Sequence, residues 1–379
     1  MSHSHFKPWA EISLGEFVSL QRGHDLTEEG RRPGPTPVMG SAGMNGFHDT
    51  ALAKGPGVVV GRSGASFGQV HLCLVDYWPH NTALYVTDFH GNDVRFTYYF
   101  LKSIDFTRYN SGSAQASLNR NYIYPILVRV PEPTEQHAIA AVLGALDDKI
   151  ELNRRMNETL EAMARTLFQH WFVDATQAGL PKGWEERGLD EIAHFLNGLA
   201  LQKFPPHGDE RLPVIKIAQL RAGHTKGADR AGTNLPPQYI IEDGDVLFSW
   251  SGSLEVEIWC GGRGALNQHL FKVTSAHFPK WFYYLWTRYH LADFQNTAAN
   301  KATTMGHIQR HHLSEAKAFV PPPALMETMN KQFAPLLDKI IANRLESRTL
   351  AALRDALLPK LMSGELRVAA AEYKLEAGA

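Results

Sequence analysis

The sequence has little cysteine, no long apolar run and no excess of either charge. Two cysteines, Cys73 and Cys260, occur among 379 residues; they are too few for a disulfide framework or a four-thiolate zinc site, and both are interpreted as core residues. No stretch approaches the ~20 apolar residues of a membrane helix, and the N-terminus lacks the apolar segment of a signal peptide, so a cytoplasmic location is expected. The net charge of -1 excludes a uniformly cationic nucleic-acid coat but not a local basic groove.

Signatures of common enzymes are missing as well. There is no Gly-x-x-x-x-Gly-Lys-Ser/Thr motif to bind the phosphates of ATP, and the glycines within 61–68 have the wrong spacing for a dinucleotide loop. The segment 234–239 is similar to the Asn-Pro-Pro-Tyr motif of adenine methyltransferases, but Leu235 and Gln238 interrupt it. We therefore interpret this segment as a loop and predict no catalytic residue.

Three histidines have a spacing that could bind a metal on a helix. His307 and His311 are four positions apart, and His312 follows directly. The group lacks the glutamate of a hydrolytic zinc helix and an obvious third ligand. We predict no metal site here, and no cofactor bound by this chain.

The clearest positive feature is an internal repeat. The pattern Trp-x-x-x-x-Leu-x-Glu that starts at Trp9 returns 175 positions later at Trp184, and Gly23 then aligns with Gly198. Towards the end of each half the offset is a constant 190, which pairs Val130-Pro131 with Val320-Pro321, Asp148-Lys149-Ile150 with Asp338-Lys339-Ile340, Asn153-Arg154 with Asn343-Arg344, and Leu167 with Leu357. A period this long indicates a duplicated domain pair, because solenoid repeats span only ~20–50 residues.

Each half has a globular part followed by a helical part. Glycine, aromatic residues and short apolar runs such as 57–61 and 245–249 predict strands bounded by turns, while 96–103 and 280–288 predict short helices, so the globular parts are mixed α/β. After the prolines within 131–133 and 321–323, the sequence consists largely of helix-forming residues. The predicted boundaries are 1–133 for the first domain, 134–174 for the first long helix, 175–322 for the second domain, 323–366 for the second long helix and 367–379 for a C-terminal tail.

Both long helices carry a seven-residue apolar period. The positions are Ile139, Leu146, Asn153, Leu160 and Leu167 in the first helix, and Met329, Leu336, Asn343, Leu350 and Leu357 in the second. The period favours two helices that pack on each other like a coiled coil, each roughly 55 Å long at ~1.5 Å per residue. A contact between Asn153 and Asn343 would cost stability but fix the helix register. The alternative is that each amphipathic helix lies separately on its own domain.

Polar, glycine-bearing loops recur at corresponding places in the two halves. Their arginine, asparagine, glutamine and serine side chains are of the types that read base edges and grip phosphates. The candidate DNA contacts are Arg62, Ser63, Ser66, Gln69, Asn119 and Arg120 in the first domain, and Trp250, Ser251, Lys301, Thr303, Gln309 and Arg310 in the second. Any one loop could equally be an ordinary solvated loop, but recurrence in both halves favours a function.

Taken together, these motifs resemble the specificity (S) subunits of type I restriction-modification systems. The resemblance is sharpest in Pro133-Thr-Glu-Gln136, in the runs 146–161 and 167–172, and in 357–367, which reads Leu-Leu-Pro-Lys-Leu-Met-Ser-Gly-Glu-Leu-Arg. It covers nearly the whole chain. The second half departs from it at one point, because Ala324-Leu-Met-Glu327 stands where the first half has Thr-Glu-Gln.

The resemblance implies a division of labour among several polypeptides. It implies two target recognition domains, separated by two antiparallel spacer helices, that each read one half of a bipartite, asymmetric DNA site. It also implies two methyltransferase (M) subunits that carry S-adenosylmethionine, and restriction (R) subunits that use ATP and Mg. The chain itself would then be a non-catalytic recognition subunit, in agreement with the missing enzyme motifs.

Charged residues on the helices are the candidates for binding M subunits. Interpreted as outward-pointing charges, they are Arg154, Arg155, Glu158, Arg344, Glu346 and Arg348. Two other functions stay open: a self-contained adenine methyltransferase or nuclease, and a structural protein whose helices pair between chains.

Overall fold

The structure is a computed structural model that describes residues 7–112, 116–206, 208, 210–300 and 306–368. These residues divide into two units, which we call unit 1 (within 1–149 and 350–379) and unit 2 (within 150–349). Each unit therefore contains one globular domain and a segment of both long helices.

Unit 1 begins with nine strands and three short helices. The strands are β1 (Ala10–Ser13), β2 (Ser19–Arg22), β3 (Thr36–Gly40), β4 (Gly43–His48), β5 (Gly57–Gly61), β6 (Val70–Cys73), β7 (Trp78–Pro79), β8 (Ala83–Asp88) and β9 (Leu127–Val130). The helices are α1 (Leu14–Phe17), α2 (Val94–Ser103) and α3 (Arg120–Ile123), after which the long helix α4 (Pro133–Phe168) begins.

Unit 2 contains ten strands and the remaining helices. The strands are β10 (Glu185–Gly188), β11 (His194–Asn197), β12 (Leu212–Ile215), β13 (Arg230–Ala231), β14 (Ile240–Ile241), β15 (Val246–Ser249), β16 (Val256–Ile258), β17 (Gly264–Leu266), β18 (Leu270–Thr274) and β19 (Lys317–Val320). The helices are α5 (Leu189–Ile192), α6 (Ile217–Ala222), α7 (Lys280–Tyr289), α8 (Leu291–Asn300), α9 (Arg310–Glu315) and α10 (Pro323–Ser363).

The sheets of the two domains correspond strand by strand. The order β2-β8-β5-β6 in unit 1 matches β11-β18-β15-β16 in unit 2, and the pair β1-β9 matches β10-β19. A third sheet is built around a parallel pair in each domain, β3 with β7 and β12 with β17. The predicted duplication of a mixed α/β domain is confirmed.

The same close backbone approach recurs where the repeat aligns Gly23 with Gly198. A Cβ atom on Gly23 would lie 2.2 Å from the carbonyl oxygen of His80, and one on Gly198 would lie 2.2 Å from that of Asn267. Any larger residue would push the strand end away from its neighbour, so both turns require glycine. Gly23 with His80, and Gly198 with Asn267, therefore form the same turn in the two domains.

The repeated spacing of tryptophan, leucine and glutamate reflects a helix cap. Glu16 Oε2 accepts from the backbone N–H of Ser13 at 2.7 Å, and Glu191 Oε2 accepts from that of Gly188 at 2.5 Å. Leu14 and Leu189 are fully buried beneath these one-turn helices. The glutamate satisfies a backbone donor at the helix start, while the leucine anchors that start in the core.

The two long helices contact each other in antiparallel fashion. Within unit 2, Asn153 faces Asn343 and Asn157 faces Ile340; within unit 1, Asp147 faces Arg354. All ten positions of the predicted seven-residue period are buried or half-buried. The helices also pack on the domains, since Ile139 belongs to the core of unit 1 and Met329 to that of unit 2. The predicted pairing is confirmed, and the alternative of separate helices is wrong.

The helix ends differ slightly from the predicted limits. Regular helix α4 stops at Phe168, and a π turn (Gln169–Val173) and a 3₁₀ turn (Asp174–Thr176) follow it. Within the described residues, no helix is both long and apolar enough to cross a membrane. Cys73 and Cys260 are free and buried, as predicted, and burial raises the pKa of both thiols.

Candidate nucleic-acid interface

The predicted DNA loops occupy equivalent positions in the two domains. Arg62 directly follows β5, and Trp250 follows β15, the matching strand. The backbone O of Arg62 accepts from Leu118 N at 2.7 Å, and that of Trp250 accepts from Ile308 N at 3.0 Å. These bonds bring the segments that start α3 and α9 beside the strand ends. The structure thus joins the two predicted clusters of each domain into one surface.

In the first domain this surface is a polar concavity of about 640 Å³. Arg62, Asn119 and Arg120 line it, as predicted. Seven further polar residues that were not predicted as DNA contacts also line it: Gln21, Arg22, His24, Asp25, Ser111, Ser117 and Asn121. Concave placement of such side chains suits contact with base edges and phosphates.

The two predicted arginines in this concavity, Arg62 and Arg120, are positioned by hydrogen bonds. Arg62 Nε donates to the carbonyl oxygen of Asn81 at 3.1 Å, and Arg120 Nη1 donates to that of Leu20 at 2.8 Å. Burial, with the nearby charge of Arg22, lowers the pKa of Arg62, and the carboxylate of Asp25 opposes that effect. An arginine remains charged despite such a shift, so the concavity keeps a fixed positive charge.

In the second domain the same place has different side chains. Trp250 Nε1 donates to Asn197 Oδ1 at 3.0 Å and to the carbonyl oxygen of Gln268 at 3.2 Å. Gln309 and Arg310 are exposed at the start of α9, and the guanidinium of Arg310 lies 5.9 Å from the ring centre of Phe271. This surface offers an indole, an amide and one guanidinium.

Several predicted DNA contacts lie apart from this surface or are occupied. The backbone N–H of Ser63 is hydrogen-bonded within the domain. Ser66 and Gln69 lie in the β5–β6 turn and do not line the concavity. Ser251 is 3% exposed, and its hydroxyl pairs with His269 Nδ1 at 2.9 Å, so it braces the loop and offers no free hydroxyl. Lys301 and Thr303 lie outside the described residues.

On the first long helix, the predicted partner-binding residues form an exposed charged face. Arg154 and Arg155 pair with Glu151 at 2.7 and 2.8 Å, and Arg154 also contacts Glu158. The hydrogen bonds from Arg154 and then Arg155 lower the pKa of Glu151 to about 2. These side chains are 41–70% exposed, so the face is available to another protein.

On the second long helix, the interpretation of Arg344 as an outward charge is wrong, whereas Arg348 is 44% exposed but ion-paired. Arg344 is 29% exposed and pairs with Glu161 at 3.1 Å and Glu257 at 3.3 Å. Arg348 makes two hydrogen bonds to Asp243, of 2.8 and 2.7 Å. Both arginines bind their own recognition domain or the neighbouring helix. The spacing showed an exposed helical face but could not show that a domain covers part of it.

The two asparagines predicted to fix the register do meet. Asn153 Nδ2 reaches the backbone O of Asn343 at 3.4 Å, and it donates to Glu346 Oε2 at 2.8 Å. Asn343 Nδ2 donates to Asn157 Oδ1 at 2.9 Å. Glu346, predicted to bind a partner, therefore also supports the helix pair. The register function itself remains a prediction.

Two further sequence motifs have structural explanations. Leu235, which interrupts the Asn-Pro-Pro-Tyr-like segment, is 6% exposed and packs in an apolar cluster, as expected of a structural loop. His311, His312 and Glu315 place possible metal-ligand atoms within 4.8 Å of one another. His312 Nδ1 already accepts from the backbone N–H of Gln309 at 2.8 Å. The absence of a metal site stays a prediction.

Arg22, His24 and Asp25 were missed although a signal was present. They flank Gly23, which the repeat had marked as a shared turn, and Asn197 stands where Arg22 does in the other half. Comparison of the residues beside the two aligned glycines would have selected them. Their proximity to Arg62 depends on the pairing of β2 with β8, which the sequence did not reveal.

Known proteins share both the sequence pattern and the fold. Residues 7–162 and 181–354 match the model of the type I restriction modification DNA specificity domain. The chain is similar to the type I restriction enzyme MjaIX specificity subunit of Methanocaldococcus jannaschii, with 27% identity over 72% of this chain and 69% of the relative. It is also similar to the HindI specificity subunit of Haemophilus influenzae, with 20% identity over 63% of this chain and 69% of the relative.

A solved structure supports the same fold. The crystal structure of the S subunit of a type I restriction-modification system from M. genitalium superposes with a TM-score of 0.62. The match covers 96% of this chain and 98% of that chain at 18% identity. Because the family model matches both halves, the chain belongs to the family of type I restriction-modification DNA specificity proteins.

Proposed function

We propose that this chain is the non-catalytic DNA-recognition subunit of a type I restriction-modification complex, in which each domain reads one half of a bipartite, asymmetric site. The observation that carries the proposal is the equivalent placement of the two polar surfaces, at Arg62 with Asn119 and at Trp250 with Gln309. Two equivalent surfaces with different side chains suit a site whose halves differ in sequence.

Other polypeptides would perform the chemistry. M subunits, two per chain, would bind S-adenosylmethionine and methylate adenine, and R subunits would supply ATP- and Mg-dependent steps. The exposed charges of Arg154, Arg155 and Glu158 support the α4 face as an M-binding surface. Base contacts would each provide about 1–3 kcal/mol of discrimination, and phosphate contacts would provide salt-dependent affinity.

The helices would set the number of unread base pairs between the half-sites. One heptad adds about 10 Å to a helix while nearly restoring its face, so insertions can lengthen both helices together. Suitable positions are after Lys149 in α4 and after Thr349 in α10, where the two units divide.

The test is the methylation motif of the chain co-expressed with its M subunit, read by single-molecule sequencing. The wild-type complex is expected to methylate a bipartite motif. The double insertion is expected to change the spacing and retain both half-site sequences. Altered half-sites with unchanged spacing would contradict the function of the helices. Methyl transfer by the purified chain without an M subunit would instead show a self-contained methyltransferase.

A further inference from the structure

The hydrogen bonds of Arg62 fix its position and leave the end of its guanidinium available to a ligand. Its backbone N–H donates to Thr82 O at 2.8 Å, its backbone O accepts from Leu118 N, and its Nε donates to Asn81 O. Among the described residues, neither Nη group has a hydrogen-bond partner, and the side chain lines the concavity. The fixed backbone and Nε leave the two-pronged end of the guanidinium for a ligand.

The neighbours of Arg62 add a second guanidinium and one carboxylate. Arg22 is 55% exposed and lies 3.4 Å from Asp25 Oδ1. Asp25 also accepts a hydrogen bond from Asn81 Nδ2, and Asn81 is the residue whose carbonyl oxygen holds Arg62. The three charged groups therefore belong to one hydrogen-bonded cluster at the end of β2.

This set of groups matches one base pair in the major groove. Guanine presents two acceptors there, O6 and N7, which a guanidinium contacts through two N–H groups at once. Cytosine presents the N4 amino group, which a carboxylate accepts. Adenine and thymine offer a mixed or single pattern that two guanidiniums fit less well.

The second domain lacks these groups at the equivalent positions. The residues at the positions of Arg22, Asp25 and Arg62 are Asn197, Ala200 and Trp250. The indole N–H of Trp250 is already bonded within the domain. The charged cluster is therefore specific to the first domain, although the backbone has the same arrangement in both surfaces.

Resting on the proposed function, we propose that Arg62, supported by Arg22 and Asp25, reads an obligatory G·C base pair in the half-site of the first domain. The second domain reads its half-site without an arginine at this place. The asymmetry of the bipartite site thus has a named chemical cause.

The experiment compares methylation motifs of the wild-type complex and of complexes with Arg62→Gln or Arg62→Lys. The wild-type motif is expected to contain an invariant G·C pair in one half-site. Arg62→Gln should relax that position, with a loss of discrimination of about 5- to 150-fold, and leave the other half-site unchanged. Arg62→Lys keeps the charge but loses the two-pronged geometry, so it should relax the same position.

Two controls separate a local effect from a general one. Arg129 is exposed in β9 and does not line the concavity, so Arg129→Gln should leave the motif unchanged. Arg310→Gln in the second domain should affect only the other half-site, which assigns each half to its domain.

Four outcomes would overturn the inference. A motif unchanged by both Arg62 variants, or one relaxed at an A·T pair, contradicts guanine reading while the proposed function stands. If Arg62→Gln abolishes methylation, then Arg62→Lys decides, and retention of the full wild-type motif by the lysine variant overturns the proposal. A wild-type complex that methylates without any sequence preference would refute the proposed function and this inference together.

Discussion

Each long helix follows an equivalent strand, β9 or β19. Different side-chain interactions hold each helix to its domain. In unit 1, Gln136 is 1% exposed, and its Nε2 donates to Asn92 Oδ1 at 2.7 Å and to Pro131 O at 3.0 Å. Its Oε1 accepts from the backbone N–H of Asp93 at 3.0 Å. One amide side chain therefore links the helix start to the loop before α2.

In unit 2 the same junction is held chiefly by apolar contacts. Met326 occupies the position of Gln136 and lines a cleft of about 470 Å³ with Phe278 and the prolines at the helix start. The junction is held instead by Trp281, which stacks on Phe333 with ring centres 4.3 Å apart. Trp281 Nε1 also donates to Asn330 Oδ1 at 2.9 Å, so the departure from Thr-Glu-Gln reflects a replacement of most of the glutamine's hydrogen bonds by aromatic packing.

The polar contacts that α4 makes with the domain of unit 1 and those that α10 makes with the domain of unit 2 have the charges reversed. In unit 1 the helix supplies carboxylates, Asp147 to Tyr99 and Asp148 to Arg95. In unit 2 helix α10 supplies guanidiniums, Arg344 to Glu257 and Arg348 to Asp243, although α4 there supplies Glu161 to Arg288. A domain moved to the other position would lose its partners, so the duplicated halves have become specific for their own ends of the helices.

The largest expected effect comes from the aromatic junction of unit 2. Phe172 is fully buried and contacts Trp184, Trp281 and Trp286 at ring distances of 5.5 to 6.2 Å. Phe172→Ala should lower the free energy of unfolding of unit 2 by about 3–5 kcal/mol, because it leaves a cavity among large rings. Urea unfolding followed by tryptophan fluorescence checks this. Met163→Ala, at a 48% exposed position, is the control, and an equal effect of both would refute the proposed junction.

The next effect distinguishes the polar junction from the apolar one. Gln136→Met removes three hydrogen bonds and leaves Asn92, Pro131 and Asp93 with buried unpaired groups, so it should destabilise unit 1 by about 2–4 kcal/mol. The reciprocal change, Met326→Gln, affects a half-buried residue and should cost less than about 1 kcal/mol. Hydrogen exchange of α2 and α7 amides measures each unit separately. Equal losses of unfolding free energy in the two variants would show that the two junctions do not differ in their dependence on hydrogen bonds.

The sequence predicted what depends on local pattern. The long helices, the strands around Gly57 and Val246, and the duplicated domain follow from periodicity and from repeated residues. The site was predicted in part: Arg62 and Asn119 were selected as separate loop residues, and the structure places them together.

The rest depends on long-range pairing that the sequence does not encode locally. Arg344 has the charge and spacing of an exposed helical residue, yet Glu257, far along the chain in β16, covers it. Arg22 joins the site because β2 pairs with β8, and that register follows from the complete sheet. A single sequence shows which residues are polar, but not which strand ends meet.

The central asparagines test whether equivalent residues have equal functions. Asn153 and Asn343 are 0% and 1% exposed, and the Oδ1 atom of each has no hydrogen-bond partner among the described residues. The double variant with Asn153→Leu and Asn343→Leu should raise the free energy of unfolding of unit 2 by about 1–3 kcal/mol, because two unpaired buried oxygens are removed. The methylation motif should then show more than one spacing if the pair fixes the register.

Two results would contradict this account of the asparagines. A decrease in stability would show that their remaining hydrogen bonds outweigh the unpaired oxygens. A single unchanged spacing in the stabilised variant would show that the apolar period alone sets the register. Leu152→Asn, at a 51% exposed position, provides a control with little expected effect on either measurement.

The smallest expected effect concerns the exposed ion pair of unit 2. Arg348 is 44% exposed, so Arg348→Met should cost at most about 1 kcal/mol near neutral pH. The hydrogen bonds from Arg348 hold the pKa of Asp243 below its usual value. A carboxyl whose pKa is lowered by folding stabilises the protein above the unfolded pKa of about 3.9, and this stabilisation is lost as pH falls through the folded value. The gap in unfolding free energy between wild type and variant should therefore be constant from about pH 7 to 5 and shrink below about pH 4. Asp243→Asn should remove this pH dependence, whereas a gap that stays constant in acid would show that Arg348 stabilises the domain chiefly through its bond to Cys260 O.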